Sequence, residues 1–163
     1  DSPPQSEAGI GYAILLNLAS VCNTEDPAVL WGFISRYAPD AAPDKTPILN
    51  QLVDLAINYY RDFVKPDKNY RQPSAKETQA LENLIATLEA LPADADGADI
   101  QSEVYEIGKR HEFENLRDWF KALYEILLGQ EQGPRMGSFI ALYGISETVT
   151  LIKRVLAGDD LSI

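Results

Sequence analysis

Apolar residues recur three or four positions apart in almost every segment of this chain, and this spacing constrains the fold more than any other feature of the sequence. Leu116, Phe120, Leu123 and Leu127, for example, fall on one face of a predicted helix. Comparable stripes occur within residues 10–18, 29–37, 48–63, 81–91, 100–107, 139–143 and 149–156. No segment is convincing as a β-strand. The sequence therefore predicts an all-α fold, a single domain of about eight helices over residues 1–163.

Capping residues and prolines mark where these helices begin. Asp26 precedes Pro27 and Thr46 precedes Pro47, and each pair combines a hydrogen-bond acceptor with the residue best suited to the first helical position. The other predicted starts are Ser6, Ser74 (in a capping box with Glu77), Asn115, Pro134 and Ser146. The glycines predicted to end helices are Gly108, Gly129, Gly144 and Gly158.

Two helices have further predicted properties. Residues 48–63 carry apolar side chains on more than one face, which is typical of a central, well-buried helix, and Pro66 should end that helix. Residues 92–99 are predicted to form an acidic loop. A short helix should follow from Ile100 and end near Gly108.

The charge of the chain is unevenly distributed. The net charge of -11 argues against nucleic acid as a partner, because binding phosphate requires positive charge. Residues 77–106, however, carry eight acidic and no basic residues. Basic residues cluster instead within 61–76 and 109–135, and local charge determines the field that a ligand meets. We therefore expect residues 77–106 to face away from any polyanion.

Little in the sequence supports catalysis, a metal site or a membrane span. The single cysteine, Cys22, lies on an apolar helix face, and the single histidine, His111, follows two basic residues. The acidic residues at 94–99 lack the glycine and glutamate positions of a calcium loop. No paired carboxylates face a predicted apolar groove, so a carboxylate-based hydrolase is poorly supported. No apolar run approaches the ~18–20 residues that span a bilayer. The low cysteine content leads us to expect a cytoplasmic protein, because disulfides are rare in that reducing compartment.

Two segments have residues suited to RNA. The connector at 65–73 holds Lys65, Lys68 and Arg71 around Tyr70. Cations neutralise phosphates and aromatic rings stack on unpaired bases, although a solvated connector has the same composition.

The second segment is 115–143. Arg117 and Lys121 are four residues apart and share one helix face. Trp119 and Phe120 can either belong to the core or stack on bases. The run Gly-Gln-Glu-Gln-Gly-Pro-Arg at 129–135 places two glutamine amides and a guanidinium, which make paired hydrogen bonds to base edges, in a tight turn.

Residues 123–144, which contain this run, resemble the C-terminal segment of class I lysyl-tRNA synthetases. Residues 15–20, 25–33, 59–66 and 103–108 are similar to the same family. The resemblance covers nearly the whole chain, and the run at 129–135 is its most specific part. A looser similarity links residues 116–144 to the anticodon-binding region of glutamyl-tRNA synthetases.

The resemblance implies an all-α anticodon-binding domain of the α-helix-cage type, the C-terminal part of a longer synthetase whose catalytic domain is absent. The whole enzyme joins lysine to tRNA(Lys) with ATP and magnesium in an upstream domain. That domain carries His-Ile-Gly-His-like and Lys-Met-Ser-Lys-Ser-like signatures, and neither occurs in this sequence. We therefore expect no catalytic residue, metal or cofactor in this segment. The implied partners are tRNA(Lys) and the enzyme's own catalytic domain, and no membrane.

The resulting hypothesis assigns roles to ten residues. The residues expected to contact anticodon bases are Gln130, Gln132, Arg135, Trp119 and Phe120. The residues expected to contact phosphates are Arg117, Lys121, Lys65, Lys68 and Arg71. The hypothesis requires the bend at 129–135 to be exposed and its arginine to be outside any internal ion pair. The competing hypothesis is an acidic helical protein-interaction module without RNA binding.

Overall fold

A computed structural model describes residues 10–161 and confirms the all-α prediction, because the described residues form eight α-helices and no strand. The contacts within the chain group into two compact units, Asp1–Asp67 (unit 1) and Lys68–Ile163 (unit 2). None of the helices in the described part of the chain combines the length and the apolar character needed to cross a lipid bilayer.

Unit 1 contains the first three helices, α1 (Tyr12–Cys22), α2 (Pro27–Tyr37) and α3 (Pro47–Tyr59). A π-helical turn (Tyr60–Val64) and a 3-10 turn (Lys65–Asp67) continue α3.

The predicted helix starts in unit 1 are confirmed in part. The Asp26 carboxylate accepts a hydrogen bond of 3.0 Å from the amide of Ala28, as a cap should. Thr46 does precede α3, but its hydroxyl donates to the carbonyl of Ala42 and makes no cap. The described part of α1 begins at Tyr12, and the predicted cap Ser6 lies outside the described residues.

The prediction that residues 48–63 form a central, well-buried helix is wrong. One face of α3 is buried through Leu49, Val53 and Ala56. Leu55 and Phe63 are 56% and 60% exposed, since they lie on the opposite side of the helix and of the π-helical turn that follows it. The apolar composition of this segment therefore reflects a partly uncovered surface.

Unit 2 contains the other five helices, which are α4 (Ala75–Ala90), α5 (Gly97–Arg110), α6 (Leu116–Leu123), α7 (Met136–Tyr143) and α8 (Ile145–Leu156). A π-helical turn (Tyr124–Leu128) continues α6. The predicted capping box of Ser74 and Glu77 and the Asn115 cap are both present.

Three predicted boundaries in unit 2 are wrong. Helix α5 is longer than expected, because Asp96 caps it by accepting a 2.8 Å hydrogen bond from the amide of Asp99. The acidic loop is correspondingly shorter. Helix α7 begins two residues after Pro134, and α8 begins before Ser146, which lies inside the helix.

Trp119 lies in the core of unit 2. Its side chain is fully buried, and its indole Nε1 donates a 3.0 Å hydrogen bond to the carbonyl of Val104 on α5. Gly108 makes room for the ring, since a Cβ there would lie 2.7 Å from Trp119 Cδ1. The predicted stacking role of Trp119 is therefore corrected, because a ring with no exposed face cannot stack on a base.

Helices α5 and α7 approach each other through glycine. A Cβ on Gly137 would collide with the backbone carbonyl of Gly97, so only glycine allows this distance between the two helices. The amide of Gly137 donates a 2.7 Å hydrogen bond to Oε1 of Gln101, which ties the first turn of α7 to α5. The start of α7 is therefore fixed relative to α5.

Candidate nucleic-acid interface

The bend at residues 129–135, between the π-helical turn after α6 and the start of α7, is largely exposed. Gly129 opens the bend in the left-handed conformation, with φ at 70°, which favours glycine. Gln132 and Arg135 are exposed, and Gln130 is half-buried. Within residues 10–161, Arg135 takes part in no ion pair. The arrangement meets the requirement that the hypothesis places on the bend.

Tyr124 holds the bend in shape. Its hydroxyl donates a 2.7 Å hydrogen bond to the carbonyl of Pro134. A Cβ on Gly133 would lie 2.6 Å from the Tyr124 ring, so the ring packs directly on the backbone at that glycine. Burial, and to a lesser extent the nearby Tyr105, raise the pKa of Tyr124 from its ordinary value.

The bend forms one wall of a groove with a cavity volume of about 750 Å³. Four residues predicted from the sequence line this groove, namely Arg117, Phe120, Lys121 and Gln132. Two aromatic residues that the sequence analysis did not single out, Tyr105 of α5 and Tyr124, also line it. The groove therefore combines cations, aromatic rings and an amide, the groups that bind single-stranded nucleic acid.

The cations of the groove are available to a ligand. Arg117 and Lys121 are exposed, and in the described part of the chain neither forms an ion pair. Glu131, in the bend, places one carboxylate in the lining of the same groove. The two unpaired cations outnumber this carboxylate, so the groove is locally positive. The net charge of the chain, -11, does not reveal this local charge.

The connector packs against the bend within unit 2. The Tyr70 ring lies over Gly129, with Cε2 only 3.0 Å from the position of a Cβ there. The amide of Asn69 donates a 2.9 Å hydrogen bond to the Gly129 carbonyl, and the ammonium group of Lys68 lies 5.4 Å from the centre of the Tyr70 ring. Tyr70 therefore supports the start of the bend.

Arg71 is engaged with two carboxylates. Its guanidinium forms ion pairs of 2.7 Å with Glu77 and 2.9 Å with Glu125, which join the connector to α4 and to the π-helical turn after α6. Hydrogen bonding to Glu77 raises the pKa of Arg71, and the same contact lowers the pKa of the Glu77 carboxyl. The contacts of Arg71 in this structure are thus structural, and its phosphate-binding role stays a prediction.

Lys65 belongs to unit 1. Its ammonium group donates a 2.9 Å hydrogen bond to the Glu25 carboxylate, and this contact raises the pKa of Lys65. Both side chains are more than a third exposed, so solvent screens the pair and its contribution to stability is small. The predicted phosphate-binding role of Lys65 likewise stays a prediction.

Tyr105 was the residue hardest to find from the sequence. It lies within the acidic stretch 77–106, which we expected to face away from RNA. One feature of the sequence does indicate its exposure. Tyr105 directly follows Val104, a buried residue, and so lies off the buried stripe of α5. Tyr124 gives no comparable local signal, because its role depends on the path of the bend.

Within residues 10–161 no group of three or more histidine, cysteine, aspartate or glutamate side chains is placed to hold a metal ion. The side chains that line the groove can make hydrogen bonds, stack and neutralise charge.

No protein-family model matches the chain. Curated proteins named lysine–tRNA ligase do match it over nearly its whole length. It is 53% identical over 148 residues to that of Rickettsia bellii, covering 91% of this chain and 28% of the relative. It is 51% identical over 159 residues to that of Roseobacter denitrificans, covering 98% of this chain and 30% of the relative.

A third relative, from Rickettsia felis, is 50% identical over 145 residues, covering 89% of this chain and 28% of the relative. The chain thus spans about three-tenths of the length of the curated relatives it matches. The chain is related in sequence to a segment of proteins named lysine–tRNA ligase.

Proposed function

We propose that the groove of unit 2 binds the anticodon loop of tRNA(Lys), and that the chain is the anticodon-binding part of a class I lysine–tRNA ligase. The observation that carries the proposal is the meeting of Arg117, Phe120, Lys121 and Gln132 in one groove beside an exposed bend. The similarity to lysine–tRNA ligases supports the choice of RNA.

The groups in the groove match the chemistry of an unpaired, uridine-rich loop. Uridine offers two carbonyl acceptors and one N–H donor on its exposed edge. The amide of Gln132 both donates and accepts, and Gln130 and Arg135 lie in the same bend. Arg117 and Lys121 bind the phosphates, which fixes the position of the loop without reading its sequence.

The reaction itself belongs, on this proposal, to a longer protein. The catalytic domain of that protein attaches lysine to tRNA(Lys) with ATP and magnesium, in the cytoplasm, and the segment described here supplies no catalytic residue. Its role is selection, since the chain holds the anticodon while the catalytic domain acts on the far end of the tRNA.

The proposal is tested by filter binding of tRNA(Lys) to the full-length protein at several salt concentrations. Arg117→Ala and Lys121→Ala should each lower the slope of log binding constant against log salt by about one unit, since each removes one phosphate contact. Lys153→Ala is the matched control, because Lys153 lies on α8, outside the groove lining, and is similarly exposed. Its slope should equal that of the wild type.

The same titration distinguishes contacts to bases from contacts to phosphates. Arg135→Ala should weaken tRNA(Lys) by about 1–3 kcal/mol and an unrelated tRNA much less, as expected for loss of a base contact. Equal losses for both RNAs would make Arg135 a phosphate contact. Equal slopes for Lys121→Ala and Lys153→Ala, or no RNA binding by the wild type, would overturn the proposal.

The alternative function, a protein-interaction module, is favoured by one observation. Unit 1 exposes Leu55, Tyr59 and Phe63 along one stretch of α3 and the turn that follows it, and the Tyr59 and Phe63 ring centres are 4.9 Å apart. Exposed apolar surface of this kind is common at protein interfaces. Absence of RNA binding together with a co-purifying protein partner would favour this alternative.

A further inference from the structure

Tyr105 is an exception within unit 2. In residues 68–161 it is the one large hydrophobic side chain that is exposed, at 42%. The buried stripe of α5 consists of Ile100, Val104 and Ile107. A single exposed ring is ordinary on a protein surface. This ring differs because it lies in the lining of the groove, where Arg117 and Lys121 also lie.

Phe120 supports the Tyr105 ring. The two ring centres are 5.2 Å apart with an angle of 62° between the ring planes, an edge-to-face contact between α5 and α6. Phe120 is the more buried of the two residues. Such a contact restricts the Tyr105 ring through its packing, while its 42% exposure leaves surface on which a ligand can pack.

We infer that Tyr105 is the stacking residue of the groove and packs against one unpaired base of a single-stranded RNA loop. Phe120 holds the tyrosine ring in place, and Arg117 and Lys121 neutralise the phosphates of the nucleotide that is stacked. This inference rests on the proposed function and adds a residue of the acidic stretch 77–106 to the RNA surface. Trp119 cannot take this role, because its ring is buried.

The aromatic ring of Tyr105 makes the stacking contact, and its hydroxyl is not needed for it. Stacking on an aromatic residue typically contributes a factor of about 5 to 150 in affinity per base, and it tolerates any ring of similar size. Tyr105→Ala should therefore weaken binding by about that factor, whereas Tyr105→Phe should stay within about twofold of the wild type.

The test uses the full-length protein and an anticodon stem-loop of tRNA(Lys) that carries 5-iodouridine at one loop position at a time. Light couples this base to an aromatic ring stacked on it, and mass spectrometry identifies the coupled residue. We expect one loop position to crosslink to Tyr105. The affinities of Tyr105→Ala and Tyr105→Phe are measured in parallel, with Tyr37→Ala as control, because Tyr37 is 47% exposed and lies in unit 1.

The possible results separate the inference from the proposed function. If the wild type does not bind the stem-loop, the proposed function fails and the inference fails with it. If the wild type binds but Tyr105→Ala binds equally well and no crosslink reaches Tyr105, the inference alone is overturned. Equal losses in Tyr105→Ala and Tyr105→Phe would assign the effect to the hydroxyl, and an equal loss in Tyr37→Ala would show that it is not specific to the groove. Either result would also overturn the inference.

Discussion

The two units differ in how many large apolar side chains they expose and in how closely other atoms approach their glycines. In the described residues of unit 1, seven large hydrophobic side chains are exposed: Tyr12, Val29, Tyr37, Ile48, Leu55, Tyr59 and Phe63. The described residues of unit 2 include one exposed large hydrophobic side chain, Tyr105. Two described glycines of unit 1, Gly11 and Gly32, have open space where a side chain would be, as does Gly158 of unit 2, whereas Gly108, Gly133 and Gly137 of unit 2 have none.

This difference shows where the sequence is most constrained. Unit 2 depends on close approach of backbone and side chains at Gly108, Gly133 and Gly137, where a larger residue has no room. The described glycines of unit 1 carry no such restriction, and we expect substitutions of its exposed apolar residues to change stability little.

The largest effect is expected for glycine to alanine. Gly137→Ala in unit 2 should destabilise the protein by about 3 kcal/mol or more, because the methyl group collides with the backbone of α5. Gly32→Ala in the middle of α2 should stabilise by roughly 0.5–1 kcal/mol, since nothing lies near it and alanine favours helix.

Urea unfolding followed by circular dichroism measures both free energies of unfolding, and hydrogen exchange assigns each change to its unit. Similar small effects at the two glycines would show that α5 and α7 can separate freely, and would remove the proposed contrast in packing.

A pH effect is expected in unit 2. The Glu77 carboxyl has a pKa below the ordinary 4.5, first because it accepts hydrogen bonds from Arg71. A lowered native pKa contributes stability that is complete above the ordinary value and is lost as the pH falls through the native pKa. Glu77→Gln should therefore be less stable than the wild type at pH 7, and the difference should shrink toward pH 3.

Urea unfolding at pH values between 7 and 3 tests this. The matched variant is Glu25→Gln in unit 1, whose ion pair with Lys65 is more exposed and should contribute less. A difference between Glu77→Gln and wild type that stays constant with pH would contradict the assignment.

The smallest effect is expected for Leu55→Gln in unit 1. Leu55 is 56% exposed on α3, so its replacement should change the free energy of unfolding by less than about 0.5 kcal/mol. The affinity for tRNA(Lys) should also stay unchanged. Thermal melting and filter binding check the two expectations, and a large loss of stability would mean that another part of the protein covers this face.

Local signals predicted local structure well. The Asp26 cap, the capping box of Ser74 and Glu77, and the left-handed Gly129 depend on residues close in sequence, and all three are present. Asp96 was missed as a cap because Asp94 and Asp99 offer equivalent carboxylates nearby, and only the folded chain selects among them. The hydroxyl of Thr46 is bonded to Ala42 in the preceding turn, which no cap rule anticipates.

The groove was predictable only in part, for a related reason. Arg117, Phe120, Lys121 and Gln132 lie within sixteen residues of sequence, so helix periodicity and the bend bring them together. The contributions of Tyr105 and Trp119 depend on how α5 packs against α6. That packing buries the tryptophan and leaves the tyrosine exposed.

The glycine contact between α5 and α7 bears on how tightly the groove can hold a ligand. Helix α5 carries Tyr105 on one wall of the groove and, through Gly97 and Gln101, also anchors the helix that follows the bend. One helix therefore supports both walls of the groove. A groove preformed in this way loses little conformational entropy when a ligand binds, so variants that loosen the contact should weaken the affinity.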